Sequence, residues 1–510
     1  MGLIRGLQRA DAYPHPVERV ELLETHISWV LLAGEYAYKI KKPVDLGFLD
    51  FSTLERRRFF CEEEIRLNRR LARSLYLGVV PIGGPVDCPR VGRNGGALEY
   101  AVRMRRFPQQ ALLTYREPDP LLIDAIVQRI ASFHGGLPSA SRETPFGTPA
   151  AVIAPMRENF VQIRANVDQP KALAAAARLE RWTELWFLRL RNQLDQRRNQ
   201  GFIRECHGDL HRGNIAVIDG EPVIFDCIDF SPRLRWIDTI SEFAFLVMDL
   251  REAGNATLAR RALNRYLELT GDYAGLVLLR FYEVYRAMVR AKVVGIRLAR
   301  GGITGDAALR AQADLGAYLR LARTIATCRR PRLIIACGLS GSGKTWLCGA
   351  LSERLPLIHL RSDLERKRLF GLPADARTAS SSGAGIYSLN ASLRTYARLL
   401  ALTRDVIGAG YGALVDATFL KTAQREPFAA LAAELACPFK ILATDAPEAV
   451  LRRRIVERSA VGTDASEAGL DVLDTQLVGH ERLTDTERAC AIELDTSEPL
   501  SLDLLAAQLR

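Results

Sequence analysis

Residues 338–345 read Gly-Leu-Ser-Gly-Ser-Gly-Lys-Thr. Glycines at this spacing let a backbone wrap an anion with its own N–H groups, as in a Walker A loop. Lys344 brings a charge that reaches terminal phosphates, and Thr345 brings a hydroxyl for a magnesium ion. Gly338, Ser340, Gly341, Ser342, Gly343, Lys344 and Thr345 are therefore candidate nucleotide-binding residues, with Lys344 catalytic as well. Two acids follow. Asp363 comes after the apolar stretch LIHLRS, where it would orient and deprotonate an acceptor hydroxyl. The same position suits a helix N-cap. Asp416 ends the apolar part of GALVDAT, where a strand-tip acid would help hold the magnesium ion. LRRRIVERSA puts Arg452, Arg453, Arg454 and Arg458 on a helix. Arg454 and Arg458 share one face and could close over phosphates. The alternative is a solvated basic face.

A second constellation lies upstream, His207 to Asn214 (HGDLHRGN), followed by IFDCIDF. Asp209 and Asn214 stand five apart in a loop-forming stretch. That spacing suits an acid that takes a hydroxyl proton and an amide that holds magnesium. Asp226 closes the short apolar run EPVIFD and is the candidate metal-binding acid, with Asp229 its rival. Phosphoryl transfer needs charge neutralisation and in-line positioning more than covalent help. His207 is expected to brace the loop, and His211 to be structural.

These motifs carry two resemblances. GLSGSGKT, RSD with RKR, LVDATFL and LRRRIVER span about 330–500. Together they resemble the P-loop kinase group of zeta toxins, gluconate-type kinases and polynucleotide 5′-kinases. HGDLHRGN with the following IFD resembles the aminoglycoside phosphotransferase and choline kinase family, a small-molecule branch of the protein-kinase-like fold. The usual family form has Pro where this chain has Arg212. Asp238 falls where that family has a second, structural Asp.

The second resemblance implies an ATP-gripping lysine on a strand and a helix glutamate paired with it. YAYKIKKPV offers Lys39, Lys41 and Lys42. Lys39 and Lys41 point the same way on a strand; Lys39 fits the family position best, with Lys41 the alternative. In FFCEEEIRLNRRL, Phe60, Leu67 and Leu71 form an apolar stripe that includes position 64. Glu64 then faces inward, where it needs a partner, and is preferred to Glu62 and Glu63. A glycine-rich flap is not evident. Ser28 could supply backbone N–H groups in its place.

The elements around these residues set the domain organisation. At 510 residues the chain exceeds one core. The expected division is 1–325, an aminoglycoside phosphotransferase-like bilobal α+β domain, and 330–510, an α/β P-loop domain with a doubly wound parallel sheet. From residue 333 onward, strands alternate with helices, which implies parallel strands covered on both faces. The stretch Thr327–Arg332 marks the boundary, and loop chemistry at 138–149 marks a softer one.

Nine scattered cysteines without a CxxC motif read as reduced core residues, not as disulfides or a zinc site. With no membrane-length apolar run and no signal-peptide core, a cytoplasmic protein that does not contact membranes is expected. The net charge of +11 points to an anionic partner or to a solvated basic surface. Residues 281–300 are rich in Arg and Lys, which disfavours a polycationic aminoglycoside and favours a neutral or anionic acceptor. The expected activity is ATP-dependent transfer of phosphate to a small-molecule hydroxyl at two nucleotide sites, with ATP and Mg2+ as cofactors. The alternatives are a P-loop half that phosphorylates nucleic-acid 5′-hydroxyls, or one half that binds nucleotide without turnover and regulates the other. Oligomeric state and acceptor are left open by the sequence.

Overall fold

The computed structural model describes residues 2–45, 47, 49–93, 95–300, 304–327, 331–374, 376, 385–461 and 468–510. They form two compact units: 1–253 with 281–322, and 254–280 with 323–510. The division expected from sequence is contiguous, whereas these units interleave. The boundary stretch at 327–332 lies partly outside the described residues. No helix among those described is long and apolar enough to cross a membrane, and the described cysteines are unpaired thiols.

The first unit opens with an antiparallel sheet. Its strands run Val20–Glu24, Ser28–Ala33, Tyr36–Lys41, Glu99–Arg105, Tyr76–Gly83 and Arg90–Val91 in spatial order. Gly34, with φ +58°, makes the tight turn into Tyr36–Lys41. Alternation then sorts the side chains of YAYKIK. Tyr38 and Ile40 enter one core with Leu31, Ile82 and Ala101. Lys39 and Lys41 are left on the opposite face, with the helix Leu54–Asn68 whose Cys61 packs on Val102 and Tyr76. That helix starts on Thr53, whose hydroxyl accepts from the Arg56 N–H. It ends before Leu71, so the expected stripe is shorter, but Glu64 is on its buried face.

The turn between the first two strands departs from expectation. The Ser28 N–H donates to Thr25 Oγ1 at 3.0 Å. That donor is spent inside the turn and is not free for a phosphate.

Further on, helices Pro120–Gly136, Pro149–Asn166 and Pro170–Asn199 each carry proline in the first turn, where no N–H is missed. Two short antiparallel pairs, Ile203–Glu205 with Trp236–Asp238 and Ile215–Ile218 with Glu221–Ile224, carry the HGDLHRGN loop between them. Helices Thr239–Glu252 and Leu276–Ala299 follow.

The second unit is built on a five-stranded parallel sheet, ordered Leu357–Arg361, Gly412–Asp416, Leu333–Cys337, Phe439–Asp445, Ala491–Asp495. Leu333–Cys337 and Gly412–Asp416 are buried throughout, as strands covered on both faces must be. Leu347, Cys348 and Leu351 of the helix after the glycine loop pack with Leu505 and Leu509. The loop leaves the central strand at its carboxyl end, beside Asp416, which is in register with Ala336. Open parallel sheets place ligands at this edge.

Candidate active sites

In the first unit Lys39, Glu64 and Asp226 meet, Asn214 meets Asp209, and the Phe225 N–H, next to Asp226, donates to the Asn214 carbonyl at 3.0 Å and joins the two groups. Lys39 Nζ lies 2.9 Å from Glu64 Oε1 and 2.6 Å from Asp226 Oδ1. Lys41 Nζ lies 2.8 Å from the other Glu64 oxygen and also donates to Asp229. Glu62 instead pairs with Arg58, and Glu63 with Arg66 and Arg235. The rival lysines and acids separate by exposure. The Lys39 side chain is 16% exposed and Asp226 46%, against 1% for Lys41 and 7% for Asp229. Lys39 and Asp226 are thus the accessible pair, and Lys41 and Asp229 the buried pair, with Glu64 bridging the two lysines.

Burial pushes the Glu64 carboxyl up, but the two ammonium groups outweigh it and bring its pKa down to about 2. Asp229 is raised by burial, and by the charge of Glu64, against the pull of Lys41 and Lys39. Asp226 has φ +63°, a strained value for a residue with a Cβ, of the kind that collects at functional sites.

The HGDLHRGN loop is held on every side. His207 Nε2 meets the Phe225 carbonyl at 2.8 Å, and its Nδ1 accepts from the Asp209 N–H at 3.2 Å. Asn214 Nδ2 donates to the Asp209 carbonyl at 2.9 Å and to its Oδ2 at 3.0 Å. His211 Nε2 is 3.3 Å from the same carboxylate oxygen. Burial raises the Asp209 carboxyl, yet His211, His207 and Arg290 together hold it well below the usual carboxylate range. The carboxyl is thus held in its ionised form.

Arg212, where the family form has proline, donates its N–H to Asp249 Oδ2 at 2.9 Å and its Nε to the same atom at 3.0 Å. A proline could not make the first bond, so a side-chain anchor replaces ring stiffness. Asp238 caps Thr239–Glu252 and takes a bidentate bond from Arg197 at 2.6 and 2.8 Å.

Two residues here escaped the sequence reading. Glu242 Oε1 accepts from the Gly208 N–H at 2.6 Å, and its Oε2 meets His134 at 2.7 Å. Arg286 Nη1 donates to the Gly208 carbonyl at 3.0 Å. Both clamp the residue before Asp209 from distant helices, and no local motif marks them. Beside Asp209 opens a cavity of about 820 Å³.

In the second unit a cavity of about 440 Å³ is lined by Gly341, Lys344, Thr345, Asp363, Asp416 and Arg454, among others. Gly338, Gly341 and Gly343 have φ of +147°, +84° and +79°. A Cβ at Gly338 would lie 2.3 Å from the Thr444 carbonyl oxygen, so that position requires glycine. Ser342 is fully buried, its Oγ 2.8 Å from Thr444 Oγ1. Lys344 Nζ donates to the carbonyls of Gly338 and Leu339 at 2.9 and 2.8 Å. Burial lowers its pKa against the pull of Asp416 and Asp363.

Burial raises the Asp416 carboxyl, but His359 at 3.3 Å, with Arg361 and Lys344, outweighs it and sets the pKa at about 2. Asp363 lies in the first turn of Ser362–Leu369, whose N-cap is Arg361 with no side-chain cap bond. The capping alternative is therefore not what the residue does; it lines the cavity instead. Arg454 donates to Thr496 and to the Gly341 carbonyl. Arg458 donates to the Ala468 carbonyl at 2.8 Å. Both line the cavity, while Arg452 and Arg453 pair outward with Glu448 and Glu457. Gln476, also missed, accepts from the Ser340 N–H at 2.8 Å.

The donor sets fit the expected groups. Asn214 Oδ1 and the second Asp226 oxygen have no protein donor among the described residues. Thr345 and Asp416 supply oxygen in the second unit. Hard oxygen ligands of this kind suit magnesium. The glycine loop, with its positive-φ residues and Lys344, suits a polyphosphate.

Comparison with known proteins agrees with both halves. The phosphotransferase enzyme family model matches residues 54–279, and the AAA domain model matches residues 333–483. An uncharacterized protein of Mycobacterium tuberculosis is 31% identical over 461 residues, covering 89% of this chain and 90% of that protein. One from Mycobacterium bovis is similar to the same extent. The chain belongs to the family of these mycobacterial proteins, and it pairs a phosphotransferase-type domain with a P-loop domain. On the phosphotransferase match it is an enzyme of the kinase class.

Among solved structures, amicoumacin kinase hAmiN in complex with AMP-PNP, Ca2+ and Ami is 14% identical, with 62% of this chain and 90% of that chain covered and a TM-score of 0.41. A gluconokinase from Sinorhizobium meliloti 1021 is 20% identical, with coverages of 36% and 97% and a TM-score of 0.25.

Proposed function

We propose that the chain is an ATP-dependent phosphotransferase with two nucleotide sites, the first transferring the γ-phosphate to a small-molecule hydroxyl. The observation that supports this most is the convergence of Lys39–Glu64, Asp209–Asn214 and Asp226 from segments far apart in sequence. Lys39 grips the donor's phosphates and is kept in place by Glu64. Asp209, ionised and oriented by Asn214 and His211, accepts the proton of the acceptor hydroxyl. That oxygen bonds to the γ-phosphorus, the bond to the β-phosphate oxygen breaks, and ADP leaves with the electron pair. Asn214 and Asp226 would hold magnesium, which supplies charge neutralisation for the phosphates.

In the second unit the glycine loop and Lys344 hold polyphosphate, Thr345 and Asp416 would hold the ion, and Arg454 and Arg458 cover the phosphates. Asp363 takes the part of Asp209 toward a second acceptor. A cytoplasmic setting is part of the proposal.

The test is release and transfer of labelled γ-phosphate by wild type, Asp209→Asn, Lys344→Ala and the double variant. Each single change should remove one component of turnover, by about a hundredfold or more at its own site. The double variant should be nearly silent. Unchanged turnover in both single variants would end the two-site proposal.

A further inference from the structure

We infer that the acceptor beside Asp209 is a hydroxylated organic anion, its carboxylate or phosphate held by Lys292 and Arg233. The inference rests on the phosphotransfer reading of Asp209. At about 820 Å³ the cavity suits a small molecule. Its lining includes four cationic side chains, Arg233, Arg286, Lys292 and Arg300. The carboxylates in the same lining are Asp209 and Glu158.

Two of the four cations are engaged. Arg286 donates to the Ser241 and Gly208 carbonyls, and Arg300 donates to His26 Nδ1 at 2.9 Å. Lys292 and Arg233 donate to no described residue. Burial lowers the Lys292 ammonium, and Glu158 and Asp209 only partly oppose that. His26, also in the lining, is pushed down by burial first and then by the charges of Arg300, Lys42 and Arg297.

A second, independent feature points to a ligand. Asn159 lines the cavity and is 2% exposed, and its Nδ2 has no hydrogen-bond partner. A buried amide donor left unpaired is costly, and a turn of the side chain toward an oxygen-rich ligand in the cavity would satisfy it. A polycation would instead bring its amines against Lys292 and Arg233, a like-charge arrangement that specificity devices avoid.

The test is calorimetric titration of the full chain, with Mg-AMP-PNP present, against gluconate, gluconate 6-phosphate, glucose and kanamycin. At least one of the two anions should bind about tenfold or more tighter than glucose and tighter than kanamycin. Binding of gluconate assigns the site to a carboxylate, and binding of gluconate 6-phosphate without binding of gluconate assigns it to a phosphate. Lys292→Gln and Arg233→Gln should each weaken that anion about tenfold and leave the AMP-PNP affinity unmoved. The inference is overturned if glucose or kanamycin binds as tightly, if neither anion binds at millimolar concentration, or if both variants leave the anion's affinity unchanged. If the anion binds as expected but Asp209→Asn leaves labelled-phosphate transfer intact, the phosphotransfer reading fails and the anion site stands.

Discussion

Five charged side chains of the first unit show how far residue types and spacing reach. Two-residue alternation puts Lys39 and Lys41 on one face of their strand, and helical spacing puts Glu64 inside. Both follow from the sequence, and the structure has Glu64 bridging the two lysines. Which lysine is the accessible one is not a local property. It depends on Asp226 and Asp229, which arrive from nearly two hundred residues away.

Three buried carboxylates carry a pH signature. Glu64, Glu242 and Asp416 have folded pKa values lowered to about 2. In each case burial, which raises the pKa, is outweighed: by Lys39 and Lys41 at Glu64, by His134 and His207 at Glu242, and by His359 at Asp416. The unfolded value of such groups is about 4. Each therefore stabilises the fold fully above that value, and the contribution is lost as pH falls toward 2. Asp229, raised by burial, works in the opposite sense. Thermal unfolding midpoints should fall as pH drops below about 4.5. Glu242→Gln should flatten that fall, and an unaltered slope would show that the clamp on Gly208 contributes nothing.

Among elements, the parallel sheet was the most legible, because its apolar strands alternate with helices and need cover on both faces. What covers its edge was not. Leu357–Arg361 is an edge strand, and edges need partners. Asn264, on helix Ala256–Thr270, accepts from the His359 N–H at 2.8 Å and donates to the Leu357 carbonyl at 3.1 Å. Its amide imitates the next strand. That helix precedes the Thr327–Arg332 stretch by some sixty residues, so no composition shift ties it to the sheet. Asn264→Ala should cost about 1–3 kcal/mol in chemical denaturation, the penalty of stranding buried backbone groups. A loss well below that range would mean that water or a neighbour replaces the amide. The flap misreading has a similar origin: Ser28 looked available only because Thr25, three residues away, was not counted as an acceptor for its N–H.

For the whole molecule, charge and chain division are the properties to test. The net charge of +11 is consistent with both small anions and nucleic acid. Oligonucleotide binding should be weak, with little dependence on salt. A steep negative slope of log affinity against log salt would favour the 5′-hydroxyl kinase alternative for the P-loop half. A fragment of residues 330–510 would lack the 254–280 segment that belongs to its compact unit. It should unfold at lower temperature than the same unit in the full chain.

The central claim is that one chain holds two nucleotide sites, and its stoichiometry is directly measurable. Calorimetric titration of the full chain with Mg-AMP-PNP should give two nucleotides per chain for wild type, and one each for Lys344→Ala and Lys39→Ala. A single nucleotide per wild-type chain, or two retained by either variant, would contradict it.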